Sequence, residues 1–197
     1  MRPGDEHAKA DVESGVYERR YRMQAGDVVL DIGAHVGWFT ELAAKRVWAG
    51  GMVVAFEPHP ENFKLLKDRL WSFSNVIMVN AAATGTPGLI ALWHNSGNTG
   101  GHSIYRNSQH CCCEAVRSVK ASSYVTMSRT VRFVKIDAEG AELEILTDLA
   151  PVLSSPVDIA FEAHSAELYR ACRELLVKAG YGFEPMTEHV GVCYAWK

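Results

Sequence analysis

The residues able to do chemistry gather in four short blocks. These are DIGAHVGWFT (Asp31–Thr40), FEPHP (Phe56–Pro60), VKIDAEGAELEIL (Val134–Leu146) and AFEAH (Ala160–His164). They carry the carboxylates Asp31, Glu57, Asp137, Glu139 and Glu162, the cation Lys135 and the imidazoles His35, His59 and His164. A carboxylate accepts hydrogen bonds from hydroxyls or draws off a proton, and an imidazole that titrates near neutrality can do the same. In the first block, Gly33 and Gly37 allow a tight turn and let a ligand approach the backbone. The spacing is not the G-x-G-x-x-G of dinucleotide binding, because Ala34 and His35 follow Gly33. Nor does a Gly-Lys-Ser/Thr follow to make a phosphate loop. The turn therefore suits a compact, neutral or zwitterionic ligand better than a bare phosphate. Glu57 lies 26 residues after Asp31. An acid there can accept hydrogen bonds from both hydroxyls of a ribose; the competing reading is a surface carboxylate that caps the next helix.

Such groups need strand ends to hold them, and the chain supplies them in order. Val28–Ile32 is an apolar, β-branched run, followed by helical spacing over Val36–Val47 and the stop Gly50–Gly51. Met52–Phe56 reads as a strand, Asn62–Trp71 as a helix and Val76–Val79 as a strand. The alternation resumes with a strand at Val131–Ile136, a helix at Ala141–Leu149, a strand at Val157–Phe161 and a helix at Ala166–Ala179. Tyr181–Phe183 and Val190–Trp196 read as a closing hairpin. Strand–helix alternation with short connections predicts α/β architecture, a mostly parallel sheet with helices on both faces. In such a sheet ligands bind beyond the carboxyl ends of the strands, which is where all four blocks fall.

Two segments stand outside the alternation. Residues 1–24 are polar and read as an arm or short helix, leaving 25–197 as a single domain. Thr84–Tyr124 holds five of the 16 glycines and three of the eight histidines. Its plausible strands, Leu89–Trp93 and Ala115–Val119, flank the loop SGNTGGHS. An irregular stretch of this length reads as a substrate-facing insertion.

Composition narrows the function classes. The chain has 197 residues, 48% hydrophobic and 22% charged, with a net charge of −3. That is one ordinary globular domain with no basic field to draw in nucleic acid. No apolar run is long enough to cross a bilayer, and the charged N-terminus predicts no secretory leader. Five cysteines, three of them adjacent at Cys111–Cys113, make no disulfide framework and point to a reducing, cytoplasmic location. Adjacent strand cysteines face opposite ways, so no metal site is expected there.

Taken in order, DIGAHVGWFT, VVAFEPHPENF and VKIDAEGAELEIL resemble the FkbM family of S-adenosylmethionine-dependent methyltransferases. That family's usual pattern is D-I-G-A-N-x-G, A-F-E-P-x-P and K-I-D-x-E-G-x-E, and the likeness runs from about Ala25 to Phe183. The resemblance implies a Rossmann-like class I methyltransferase fold, with a seven-stranded sheet and a C-terminal antiparallel hairpin. It implies S-adenosylmethionine as cofactor. Asp31, Gly33, Ala34 and Gly37 would line its methionine and ribose parts. Glu57 would hold the ribose hydroxyls, with Pro58 shaping the turn. Asn80 and Ala81 would border the adenine, and Asp137 would face the reactive end. His35 replaces the family's Asn at the pocket, which leaves the role of that side chain open.

The expected reaction is methyl transfer to a hydroxyl of a small molecule or sugar. Proton removal would fall to Asp137, His164 or Lys135, with His102 approaching from the insertion. Lys135 and Asp137 share a strand face, and burial there would lower the lysine's pKa. A structural ion pair, either between these two or from Lys135 to Glu162, is the alternative. Rival functions are ribose 2′-O-methylation of RNA, a non-catalytic cofactor- or partner-binding module, and a nicotinamide oxidoreductase.

Overall fold

The computed structural model describes residue 2 and residues 4–125, 129–184 and 191–197. In chain order the elements are α1 (Asp5–Ser14), β1 (Val28–Ile32), α2 (Trp38–Val47), β2 (Met52–Phe56), α3 (Pro60–Leu70), β3 (Val76–Val79), β4 (Ala82–Ala83), β5 (Gly88–Asn95), β6 (His110–Val119), β7 (Val131–Ile136), α4 (Glu142–Leu149), β8 (Asp158–Glu162), α5 (Ala166–Lys178), β9 (Gly182–Glu184) and β10 (Val192–Trp196). Short 3₁₀ turns occupy Val16–Glu18 and Ala121–Tyr124. The expected arm thus contains a helix. The expected last strand began at Val190, which lies outside the described residues.

Seven strands form one sheet in the order β3-β2-β1-β7-β8-β10-β9. The first five run parallel; β10 is antiparallel to both β8 and β9. The closing pair is therefore a hairpin in sequence, with β10 inserted between β8 and β9. Strand side chains alternate between faces. Val28, Leu30 and Ile32 pack with Ile145, Leu146 and Leu149 of α4 and Cys172 and Leu176 of α5. Val29, Val53 and Phe133 instead pack with Phe39, Ala43 and Val47 of α2. Helices therefore cover both faces, as the apolar runs require.

A second sheet, ordered β4-β6-β5, pairs Ala82–Ala83 with the two strands of the irregular insertion. Its long antiparallel pair β5–β6 exceeds the expected strands, because β6 begins at His110 and runs through Cys111–Cys113. Those three thiols are exposed, while Cys172 and Cys193 are buried; all five are free. Among the described residues no helix is long and apolar enough to cross a membrane.

Register fixes where the site must lie. Ile32 pairs with Phe56 on one side and Ile136 on the other, and Ile136 pairs with Phe161. Four strand ends are level, so the polar residues that follow each emerge together at one edge.

Candidate active site

A cleft opens at that edge. Its floor is the β1–α2 turn, its sides are Glu57, Asp137, Glu139 and Glu162, and its roof comes from α1 and the β5–β6 loop. The first turn is shaped by close approach. A Cβ on Gly33 would sit 1.7 Å from the Asp137 carbonyl oxygen, and Gly33 has φ +80°. Only glycine lets β1 and β7 close here. Gly37 does a different job: its φ is +88°, and a Cβ there would meet Leu66 of α3 at 2.8 Å. It lies outside the cleft lining and sets helix packing. His35 has φ +52°, a conformation that Asn and His adopt more readily than most residues. The position thus has a backbone geometry that the expected Asn would also tolerate. Its ring turns to the roof, with Nε2 3.0 Å from Thr99 Oγ1 and 3.4 Å from Asp5 Oδ1. Burial holds this imidazole down at about 4, so it is neutral.

Glu57 is buried, and its two oxygens are held by the backbone. The His35 N–H donates to Oε2 at 2.8 Å and the His59 N–H donates to Oε1 at 2.9 Å. The Asn62 amide donates to Oε1 at 3.4 Å. Burial pushes the carboxyl up to about 7 against the pull of these donors. Asn80 and Ala81 do not reach the cleft. The Asn80 amide donates to the carbonyls of Glu57 and Pro58 at 2.9 and 3.1 Å, and Ala81 is buried in the core. Ala82 and Ala83 line the cleft in their stead, with Pro58.

Lys135 is a buried cation tying β1 to β7. Its ammonium donates to the Gly33 carbonyl at 2.7 Å and lies 3.5 Å from Asp31 and 3.6 Å from Asp137. The expectation of a lowered lysine pKa is corrected here. Burial does oppose the charge, but Asp31, Asp137 and Glu162 outweigh it and raise the pKa. Lys135 stays protonated and is no base. Asp31, with Thr40 donating to Oδ2 at 2.5 Å, is fully buried behind the turn rather than in the cleft. Lys135 forms its pairs with Asp31 and Asp137. Glu162 instead receives the Tyr17 hydroxyl at 2.5 Å.

The segment after β7 is organised by Glu142, whose role sequence reasoning missed. Its fully buried carboxylate accepts N–H bonds from Ala138 at 3.1 Å and from Gly140 at 3.2 and 3.1 Å. This fixes a turn in which Glu139 has φ +48°. Glu139 reaches the cleft, where burial and its acidic neighbours Asp137, Glu142 and Glu162 push it up to about 7 despite His164. The spacing D-A-E-G-A-E is the available signal: it places one acid before the turn, one in it and one at the first turn of α4.

His164 lies outside the cleft lining. Its Nδ1 is 3.0 Å from Glu142, and its Nε2 is 3.4 Å from Glu139 and 3.7 Å from Asp137. Burial opposes its charge, yet the Glu142 hydrogen bond and the Glu139 and Asp137 charges raise it to about 9. At neutral pH it is an imidazolium, which corrects the expectation of a base titrating near neutrality. Asp137, Glu162 and His164 bring ligand atoms within 4.8 Å. Lys135 and Tyr17 already engage the two acids, so the group is a charge network. His102 lines the cleft, and burial together with His59, His94 and His35 holds it at about 3.

The family model for the methyltransferase FkbM domain matches residues 31–185. No curated protein matches the chain. Among solved structures the chain is similar to methyltransferase FkbM from Methylobacillus flagellatus, at 16% identity and TM-score 0.67, over 93% of this chain and 47% of that one. It thus spans about half that protein's length. It is similar to a SAM-dependent O-methyltransferase from Thermotoga maritima, at 13% identity and TM-score 0.58, over 100% of this chain and 67% of that one. It is also similar to Aeropyrum pernix fibrillarin in complex with S-adenosyl-L-methionine, at 13% identity and TM-score 0.60, over 96% of this chain and 74% of that one. At these identities the likeness is one of fold: a Rossmann-like class I methyltransferase architecture.

Proposed function

The chain belongs to the FkbM methyltransferase family, and from that premise we propose that it is an S-adenosylmethionine-dependent methyltransferase acting on a hydroxyl of a small molecule or sugar. The observation that carries this reading is Glu57. Its Oε2 accepts one backbone bond, and the second donor on Oε1 is at a long 3.4 Å. Both oxygens therefore have capacity for the hydroxyls of a ribose. Gly33, Ala34 and the His35 backbone would hold the cofactor's methionine side, Pro58 and Ala82–Ala83 the base. When bound, the cofactor supplies an electrophilic methyl group.

The protein's own residues do the rest. Asp137 and Glu139 project into the cleft, where they can orient an acceptor hydroxyl and receive its proton. Glu139, raised to about 7, is matched to proton transfer near neutrality. Lys135 and His164 act as fixed cations that hold these acids in place. The α1 roof and the β5–β6 loop exclude water. The cleft wall carries Asp11, Asp137, Glu139 and Glu162. That acidic wall favours a neutral or cationic acceptor over the phosphate backbone of RNA. In this reading residues 25–197 form one catalytic domain, with 84–124 as its acceptor-facing insertion and 1–24 as its covering arm. The free thiols fit a reducing cytoplasmic compartment.

The test uses methyl-labelled cofactor and a panel of polyols and sugars. Binding of the cofactor to the full chain and label transfer to a hydroxyl acceptor are expected. Glu139→Gln should lower turnover by ~10²–10⁴-fold while cofactor affinity stays within a few-fold. Absence of cofactor binding sinks the proposal; unchanged turnover in both Glu139→Gln and Asp137→Asn removes the proton-transfer roles.

A further inference from the structure

Beside the cleft, three histidines crowd together for which methyl transfer has no use. The ring centroids of His59 and His102 are 4.2 Å apart, those of His59 and His94 4.9 Å, and those of His94 and His102 5.3 Å. Glu114 faces two of them: its Oε1 is 3.1 Å from His94 Nε2 and 3.7 Å from His59 Nε2. These residues come from three elements. His59 caps α3, His94 is in β5 and Glu114 in β6. The β5–β6 register pairs Leu92 with Glu114 and His94 with Cys112, so His94 and Glu114 are diagonal neighbours on one face.

We propose that His59, His94 and Glu114 form a divalent-metal site of the zinc class, which fastens the small sheet to the start of α3. Three observations support it. First, one ligand atom from each of the three lies within 4.8 Å of the others. Metal–ligand bonds of about 2.0–2.2 Å at a tetrahedral centre put ligand atoms roughly 3.3–3.6 Å apart, and the observed separations to Glu114 straddle that. Second, His94 Nε2 is buried and, although 3.1 Å from Glu114 Oε1, makes no hydrogen bond. A buried polar nitrogen left in this state needs an explanation, and a cation held between it and the carboxylate provides one. Third, the donor set of two imidazoles and a carboxylate, with no thiolate, suits a borderline divalent ion and leaves a fourth position to water.

The protons can be placed. His59 Nδ1 accepts the Asn62 N–H at 3.4 Å, so its ring proton sits on Nε2 when no metal is bound. Coordination moves that proton to Nδ1 and gives up this long bond. His102 Nδ1 accepts the Asn95 N–H at 3.0 Å, so its own Nε2 carries a proton. His102 therefore packs beside the site and is not a ligand. Arg2, whose charge is felt at His59 and His102, is held by Asn62 at 2.7 Å and Asp5 at 3.4 Å.

The site stands apart from the methyltransferase reading, and its test reads metal rather than turnover. The full chain is stripped with chelator and titrated with Zn²⁺ by calorimetry, and Co²⁺ is added in parallel for its absorption spectrum. One Zn²⁺ per chain is expected, with a tetrahedral-type Co²⁺ spectrum. Glu114→Gln and His94→Ala should each weaken Zn²⁺ binding by more than the ~10–100-fold that loss of an outer-shell partner costs. Replacing Cys111, Cys112 and Cys113 together by Ser should leave it unchanged. Thermal melts of each variant in chelator, compared with the parent chain, separate ligand loss from misfolding. The proposal is overturned if the parent chain binds no Zn²⁺, if binding survives in folded Glu114→Gln and His94→Ala, or if only the cysteine variant loses it. Cofactor binding measured on the same samples keeps this result distinct from the fate of the methyltransferase assignment.

Discussion

A carboxylate that ends a strand and already accepts backbone N–H bonds is oriented before any ligand arrives. Glu57 is such a group, and its pKa near 7 couples orientation to pH. A ribose hydroxyl donates best to the ionised form. Cofactor affinity should therefore rise as pH passes from 6 to 8, because the carboxylate fraction grows through about 7. Titration calorimetry across that range checks it. Glu57→Gln should flatten the pH dependence and weaken binding by roughly 10–100-fold, the loss of about 1.5–3 kcal/mol for hydrogen bonds to a charged group. Wild-type-like affinity in Glu57→Gln would remove the carboxylate from cofactor binding.

At the scale of elements, the site depends on how closely β1 and β7 approach. Gly33→Ala places a methyl group against the Asp137 carbonyl at a positive φ. This should destabilise the protein by more than about 2 kcal/mol in urea unfolding. A smaller effect would mean the turn relaxes easily. This approach also explains what was legible in the sequence. The strands β1, β2, β3 and β7 are short and apolar along most of their length, as strands covered on both faces are, so they and their polar ends could be read directly. Glu57 and Asp137 followed from their place after such strands. The insertion was harder, because β6 runs through Cys111–Cys113 and alternates weakly between its faces. Asn80 and Ala81 show another limit. Position after a strand says that a side chain is near the edge, but whether it faces ligand or backbone depends on a turn, here one whose carbonyls claim the Asn80 amide. Lys135 and His164 show a third: spacing revealed the groups but not how many carboxylates surround them, and that number sets their protonation.

For the whole molecule, the acidic network around His164 links folding to pH. Its folded pKa of about 9 stands above the unfolded value near 6.5. The stability it contributes is therefore fully present below about 6.5 and is lost as pH rises toward 9. Unfolding free energy should fall between pH 7 and 9, with a slope of at most ~1.4 kcal/mol per pH unit for one proton. Urea denaturation at several pH values measures this. His164→Gln should lower stability at pH 7 and flatten the decline; an unchanged slope would show that another group carries it.

One topological detail bears on how the molecule is made. β10 lies inside the main sheet, between β8 and β9. On the ribosome, β8 emerges first, and its bare flank waits for a strand about thirty residues further along. Until then the nascent chain exposes a row of unsatisfied amides next to apolar Ile159 and Phe161, the kind of surface that chaperones shield and neighbouring chains join. Closure of this flank thus waits for β10 to emerge.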